Sequence, residues 1–257
     1  MSGGHGADFG HLLVERDSPV HRLGADAKIV AVVVFVLAVA VVPQRAWWAF
    51  AIDAALVIAV LGAARLPTGT VIRRALVVAP FLGVAALLPI IGEGDGTSVG
   101  PLELSTDGLW AGLNIAAKAV LGVGASIALT ATTPIPALLA GLARLRVPTV
   151  IVSIVAFMVR YLDLIVEQFG RMRRAMAARG HDPRWLWQAG PTAAAAGTLF
   201  VRCYDRGERI HHAMLARGFT GTMPDLQGMT RTLPRGWAAA LAFPATAIIV
   251  TITARLP

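Results

Sequence analysis

Arg171–Gly180 reads R-M-R-R-A-M-A-A-R-G, and Arg209–Gly218 reads R-I-H-H-A-M-L-A-R-G. The second Ala-Arg-Gly comes 38 residues after the first, with Arg, Ala, Met, Ala, Arg and Gly at matching places. An acid, Glu167 or Asp205, precedes each block by four residues. Ala, Met and Arg favour helix, while Gly180 and Gly218 stand where a helix stops on a left-handed residue. Pro183 after the first stop, and Gly221 and Pro224 after the second, keep either helix from continuing. Arg179 and Arg217 are therefore expected at helix C-termini, where the dipole favours a cation by roughly 0.3–1 kcal/mol. A lone Arg-Gly is an ordinary helix end. Two that share their upstream residues suggest two equivalent plugs for two equivalent sockets.

Working outward, the chain around the repeat is apolar. Of 257 residues, 56% are hydrophobic and 15% charged, with a mean hydropathy of +0.67; a soluble domain carries about a quarter charged residues. The expected class is an all-α integral membrane protein. The formal charge of +8 then reflects loops held on the cytoplasmic side rather than nucleic-acid binding. Cys203 is the only cysteine, which excludes an internal disulfide or a CxxC redox or metal site. The first 25 residues are polar and contain Asp8, Glu15, Arg16, Asp17 and Arg22, so no cleavable signal is expected. His5, His11 and His21 fit no zinc spacing, and residues 1–26 read as a solvated tail.

Five apolar runs read as spans: Ile29–Val42, extended by Ala25, Ala27 and a snorkelling Lys28; Ala46–Ala64, anchored by Trp47 and Trp48; Ala75–Gly92, interrupted by Pro80 and Pro89; Leu109–Thr132; and Trp237–Thr253. The Gly92–Gly108 loop carries four acids and no Lys or Arg, which places it outside. From Glu167 to Arg235 there are eleven arginines and five acids, which places that stretch inside. Were Thr149–Leu164 to cross, the most basic part of the chain would be translocated. Thr149–Arg179 is therefore expected as a long amphipathic helix at the cytoplasmic face. The expected organisation is a polar tail over 1–26, four transmembrane helices over 27–133, long cytoplasmic helices over 134–235, and a fifth transmembrane helix over 236–257.

The chemistry that the sequence excludes is informative. A P-loop needs Gly-Lys-Ser/Thr, yet the only lysines, Lys28 and Lys118, both follow alanine. Any ATP and Mg are expected on other subunits, with no cofactor or metal held by this chain. No HExxH, GxSxG or CxxC occurs. Asp53 and Lys118 are ionisable residues inside expected spans and fall at similar depth, which suggests an intramembrane ion pair. His181, His211 and His212 flank the repeats, and the adjacent pair cannot face one way on a helix. Arg171, Met176, Arg209 and Met214 support the two helix ends, and Ala175, Ala178, Ala213 and Ala216 would let the two helices cross closely.

The paired Ala178-Arg179-Gly180 and Ala216-Arg217-Gly218, with H-R-L-G-A-D-A-K-I (His21–Ile29), M-V-R-Y-L-D (Met158–Asp163) and G-E-R-I-H-H-A-M-L-A-R-G-F-T-G (Gly207–Gly221), resemble the transmembrane T component of energy-coupling factor (ECF) transporters, the EcfT/CbiQ family. Within it the cobalt-transporting branch is the most similar. The family's Asp-Pro-Arg-x-Lys-Leu near the first span stands here as Asp26-Ala27-Lys28-Ile29, and no role is assigned to it.

The resemblance implies a non-catalytic scaffold in a bacterial cytoplasmic (inner) membrane, with its N-terminus inside. Its partners would be two ABC-type ATPases, a substrate-binding membrane subunit of the S-component, CbiM-like type, and a small accessory membrane subunit. The two Ala-Arg-Gly ends would dock into the ATPases, and the cargo would be cobalt or nickel. A vitamin-transporting T component is the alternative within the class. A membrane-embedded lipid enzyme, with Arg160, Asp163, Glu167 and the histidines His181, His211 and His212 forming a cytoplasmic-face site, is the alternative outside it, and it leaves the repeat unexplained.

Overall fold

The computed structural model describes residues 18–44, 46–91, 96–99, 102–181, 185–221 and 234–255. The order is α1 (Ala25–Val41), α2 (Trp47–Ala63), α3 (Thr68–Ala75), α4 (Ala79–Ile91), a hairpin of β1 (Gly96–Val99) and β2 (Leu102–Ser105), then α5 (Thr106–Thr132), α6 (Ile135–Arg144), α7 (Thr149–Ala178), α8 (Gly190–Ala216) and α9 (Pro234–Thr253). The chain divides into two compact units. One contains residues 145–228, and the other residues 12–144 and 229–257. His5, His11, Pro183 and Pro224 lie outside the described residues.

Helices α1, α2, α5 and α9 sit where the apolar runs predict them. The third run differs: its helix begins at Thr68, so Arg73 and Arg74 lie within α3, and a single 3-10 turn, Leu76–Val78, separates α3 from α4. Pro80 accounts for that turn, because it lacks an N–H and its ring crowds the carbonyl four residues back. The expected Gly92–Gly108 loop contains a short antiparallel hairpin with Gly96 opposite Ser105 and Val99 opposite Leu102. Two strands are marginal alone, and β2 rests on α4. The Ser105 hydroxyl then caps α5 by accepting from the Gly108 amide at 3.2 Å.

Four helical stretches among the described residues are long and apolar enough to cross a bilayer: Thr68–Pro89, Thr106–Thr132, Thr149–Ala178 and Gly236–Thr253. Helices α1 and α2, at 17 residues each, fall just short of the ~20 usually needed. The third of the four is α7, which the charge argument keeps out of the membrane. Its best 18-residue window has a mean hydropathy of 2.1, and Val150, Ile151, Ile154 and Met158 are exposed. The first half of α7 thus has the composition of a span, while its second half carries Arg171, Arg173 and Arg174. Length and composition admit it as a span; charge placement is what argues against.

In the larger unit, α1 and α9 run alongside one another through three apolar layers. Ala27 and Ala31 meet Ala240 at the start. Phe35, Val39, Val57, Leu121, Ala125 and Ala247 fill the middle, where Phe35 stacks on Phe243 with ring centroids 4.4 Å apart. Val42, Ala46, Ala49 and Val250 close the far end. The outward faces are just as apolar: Leu37, Ile58, Val77, Phe81, Leu113 and Ile249 are all exposed. A soluble protein rarely leaves apolar surface of this extent open. A helix bundle solvated by hydrocarbon shows it as a matter of course.

Two connections share a turn. Arg65 and Arg146 have positive φ (53° and 62°), and each precedes an apolar residue, a proline and a threonine. After α2 the Leu66 amide returns to Leu61 and the Arg65 amide to Gly62, the double bond that closes a helix on a left-handed residue. Helix α6, grouped with the cytoplasmic helices in the sequence reading, packs on the start of α1. Gly141 makes this possible, since a Cβ there would lie 2.9 Å from the Asp26 amide nitrogen.

Candidate functional site

The two repeats end in the same structure. Helix α7 finishes at Ala178, with Arg179 half inside it at φ −93°, ψ 14°. Helix α8 finishes at Ala216, with Arg217 at φ −95°, ψ 10°. Gly180 and Gly218 both take φ 80°. The His181 amide donates to the Met176 carbonyl at 3.1 Å and the Gly180 amide to Ala177 at 3.0 Å. In the second copy the Phe219 amide donates to Met214 at 3.0 Å and the Gly218 amide to Leu215 at 3.0 Å. This is the Schellman closure, formed twice with one geometry. The glycines are required by conformation and not by space, because a Cβ on either would meet nothing within 4 Å.

Each part of the repeat now has a place. Met176 and Met214 supply the carbonyls that close the ends, and their side chains are half-buried. Arg179 and Arg217 are exposed, and among the described residues neither guanidinium has an ion pair or hydrogen bond. Glu167 and Arg171 pair at 2.8 Å on the surface of α7, an exposed i,i+4 contact worth about 0.3–0.5 kcal/mol. Asp205 and Arg209 form no such bond, so the upstream acid is not a shared brace. Helices α7 and α8 pack together, but Ala175, Ala178, Ala213 and Ala216 are all exposed. The small residues beside the tips therefore are not the place where the helices meet, contrary to the sequence reading.

The intramembrane ion pair does not form. Asp53 is 0% exposed and neither of its carboxyl oxygens has a hydrogen-bond partner. Lys118 donates instead to the carbonyl of Ala40 at 2.8 Å. The reason lies in α1, which ends at Val41 with no basic residue in its last turn, so its final carbonyls lack both intrahelical donors and a compensating charge. Lys118 supplies one cation there, and Arg255 supplies another by donating from Nη2 to the Val41 carbonyl at 3.0 Å. Helix α5 likewise has no basic residue in its last turn. Lys28 does not snorkel; it is buried and donates to the Thr132 carbonyl at 3.1 Å and to the Thr133 hydroxyl at 3.1 Å. The only two lysines of the chain thus cap each other's helices, Lys28 of α1 at the end of α5 and Lys118 of α5 at the end of α1.

A prediction follows from the stranded carboxyl. Replacing Asp53 by valine, close to it in volume, is expected to stabilise the purified chain by about 1–3 kcal/mol, seen as a higher thermal midpoint in detergent. The charge swap Asp53→Lys with Lys118→Asp is expected to do worse than either single change. A swap that restored the midpoint would show that the two side chains do depend on each other.

Comparison with known proteins decides the family. A family model described as cobalt transport protein, CbiQ, matches residues 16–227. The chain belongs to the CbiQ family. It is 31% identical to the cobalt transport protein CbiQ of Rhodobacter capsulatus over 151 residues, 56% of this chain and 62% of that one. It is 26% identical over 154 residues to a chain of Methanocorpusculum labreanum named as a fused cobalt transport protein CbiMQ, covering 57% of this chain and 26% of that one. The energy-coupling factor transporter transmembrane protein EcfT of Heliobacterium modesticaldum is 25% identical over 238 residues, 86% of each chain. Against the CbiQ and CbiMQ relatives, then, this chain spans less than two thirds of the relative's length.

The CbiQ-family match covers both tips, both lysines and Asp53. Among the described residues no three His, Cys, Asp or Glu side chains converge as metal ligands. The paired lysine caps escaped the sequence reading: α1, α2, α4, α5 and α9 all end without a basic residue in the last turn, so nothing local marks α1 and α5 as the two that the lysines reach. The repeated Arg-apolar-Pro-Thr at Arg65–Thr68 and Arg146–Thr149 was visible as a second internal repeat.

Proposed function

We propose that this CbiQ-family chain is the transmembrane coupling subunit of an ECF-type importer, with no catalytic activity of its own. It would transmit ATP-driven movement of two cytoplasmic ATPases to a separate substrate-binding membrane subunit. The observation that carries the reading is the pair of matched helix ends, each with an exposed guanidinium that has no partner among the described residues. A planar, permanently charged group on a fixed backbone suits a bidentate carboxylate contact in a partner's groove. Two such ends suit a pair of ATPases, and ATP and Mg would be held there.

The proposed orientation has the α7 and α8 tips on the cytoplasmic side of a bacterial inner membrane, a reading supported by the arginine excess from Glu167 to Arg235. Cobalt is the proposed cargo, because relatives named for cobalt transport match this chain. The fused CbiMQ relative supports a CbiM-like substrate-binding partner. When ATP draws the ATPases together, the two sockets approach, and helices seated in them change their angle.

The test is a pull-down from membranes with the tagged chain as bait, scored by mass spectrometry. ATPase subunits and a substrate-binding membrane protein are expected in stoichiometric amounts. A chain recovered without any ATPase, from membranes in which the ATPases are expressed, overturns the reading.

A further inference from the structure

We infer that the groove between α1 and α9 is a binding site for an anionic phospholipid, with an acyl chain along the groove and the phosphate on Arg255. The groove has a volume of about 410 Å³ and is walled by Val34, Leu37 and Val41 from α1 and by Ile248 and Ile252 from α9. From Val34 to Val41 it extends about 10 Å along the helix. Its walls offer no free polar group: the Thr251 hydroxyl is spent on the Ala247 and Ala38 carbonyls of the same unit. The body of any occupant must therefore be hydrocarbon. Leu37 and Ile252, 61% and 55% exposed, are open to receive it.

The end of the groove has different chemistry. Arg255 stands there, exposed, with Nη2 on the Val41 carbonyl at 3.0 Å. A guanidinium has five N–H donors, so most remain for an anion, and no carboxylate pairs with it among the described residues. Trp47 and Trp48, both exposed at the start of α2, lie at the same end of the bundle, because Ala46 and Ala49 pack there on Val42 and Val250. Exposed tryptophans mark the headgroup level of a bilayer. The cation thus sits at phosphate height, directly beyond an apolar trough at hydrocarbon depth. A water-soluble anion has no use for the trough, and in a zwitterionic lipid the choline cation competes with the guanidinium for the phosphate.

The test is native mass spectrometry of the purified full chain in neutral detergent, offered equal amounts of phosphatidylglycerol and phosphatidylcholine with the same acyl chains. The first bound lipid is expected to be phosphatidylglycerol by about tenfold, because its phosphate is free to pair with Arg255 whereas that of phosphatidylcholine lies beside its own cation. Arg255→Gln should bring that ratio near one, and Arg255→Lys should keep most of it. Ile252→Trp, a change on an exposed side chain, should plug the groove and lower occupancy by both lipids without changing the thermal midpoint. Equal binding of both lipids by the unaltered chain overturns the site. So does an Arg255→Gln chain that keeps the full preference, or an Ile252→Trp chain that keeps full occupancy.

Discussion

From the proposed coupling role, cells whose only copy of this chain carries Arg179→Glu together with Arg217→Glu are expected to lose cobalt uptake down to background, while the chain still accumulates in the membrane. The separation of the two readouts comes from the structure. Both guanidiniums are exposed and neither is bonded within the described chain, so their reversal breaks no bond and costs the fold only the helix-dipole contribution, roughly 1 kcal/mol at each end. The helix closure depends on backbone amides, on the carbonyls of Met176 and Met214 and on the φ of the two glycines, and none of these changes. What changes is the charge offered to the proposed ATPase socket. Truncating one member of a buried charge pair at an interface costs about 2–5 kcal/mol, and reversal adds repulsion. At about 1.4 kcal/mol per tenfold, one reversed tip weakens docking by roughly thirty- to several-thousand-fold. The single changes need not add, because two tips in one assembly act as a unit. Uptake at the normal level in the double variant, with the protein confirmed in the membrane, would refute coupling through these tips.

How far the fold was legible in the sequence depends on whether the determinant was local. Helix ends at Ala178 and Ala216 were legible because a left-handed glycine after a helical run is a local rule, and the repeat doubled the signal. The apolar runs gave α1, α2, α5 and α9 for the same reason. The pairing of Lys118 was not legible. Sequence fixes its depth in α5, but the facing of its side chain depends on how α1, α2 and α5 are rotated against one another. What settled the matter was the unpaired carbonyl end of α1, a property of another helix. Helix α7 was ambiguous for a different reason. Its apolar first half and arginine-rich second half satisfy a membrane rule and a charge rule at once, and local composition cannot arbitrate between them. Of the site itself, the tips were read directly. The lysine caps were missed because they join residues 78 and 104 positions apart.

Gly112→Ala is expected to be the most damaging single methyl that can be added to α5, lowering stability by about 3 kcal/mol or more, at the severe end of overpacking. Gly108 and Gly112 face α4 at the spacing that lets transmembrane helices approach backbone to backbone. A Cβ on Gly112 would lie 2.4 Å from the Ala85 carbonyl oxygen, and one on Gly108 2.6 Å from that of Leu88. Neither oxygen is the end of a flexible side chain, so the helices themselves must part. Pro89 explains why the contact falls at Ala85: it lies four residues on and has no N–H to return to that oxygen. In lipid a carbonyl so freed must be satisfied by a neighbour, and the glycine turns a hydrogen towards it. The same helix supplies the graded controls. A Cβ on Gly124 would meet only the tip of the Val57 side chain, at 2.8 Å, and one on Gly122 would meet nothing within 4 Å. The Ala substitutions are therefore expected to rank Gly112 worst and Gly124 intermediate. Gly122 should be neutral or better by up to about 1 kcal/mol, from helix propensity. Thermal midpoints of the three purified variants in one detergent would measure the ranking. If Gly112→Ala melted with Gly122→Ala, close backbone contact with α4 could not be what positions α5.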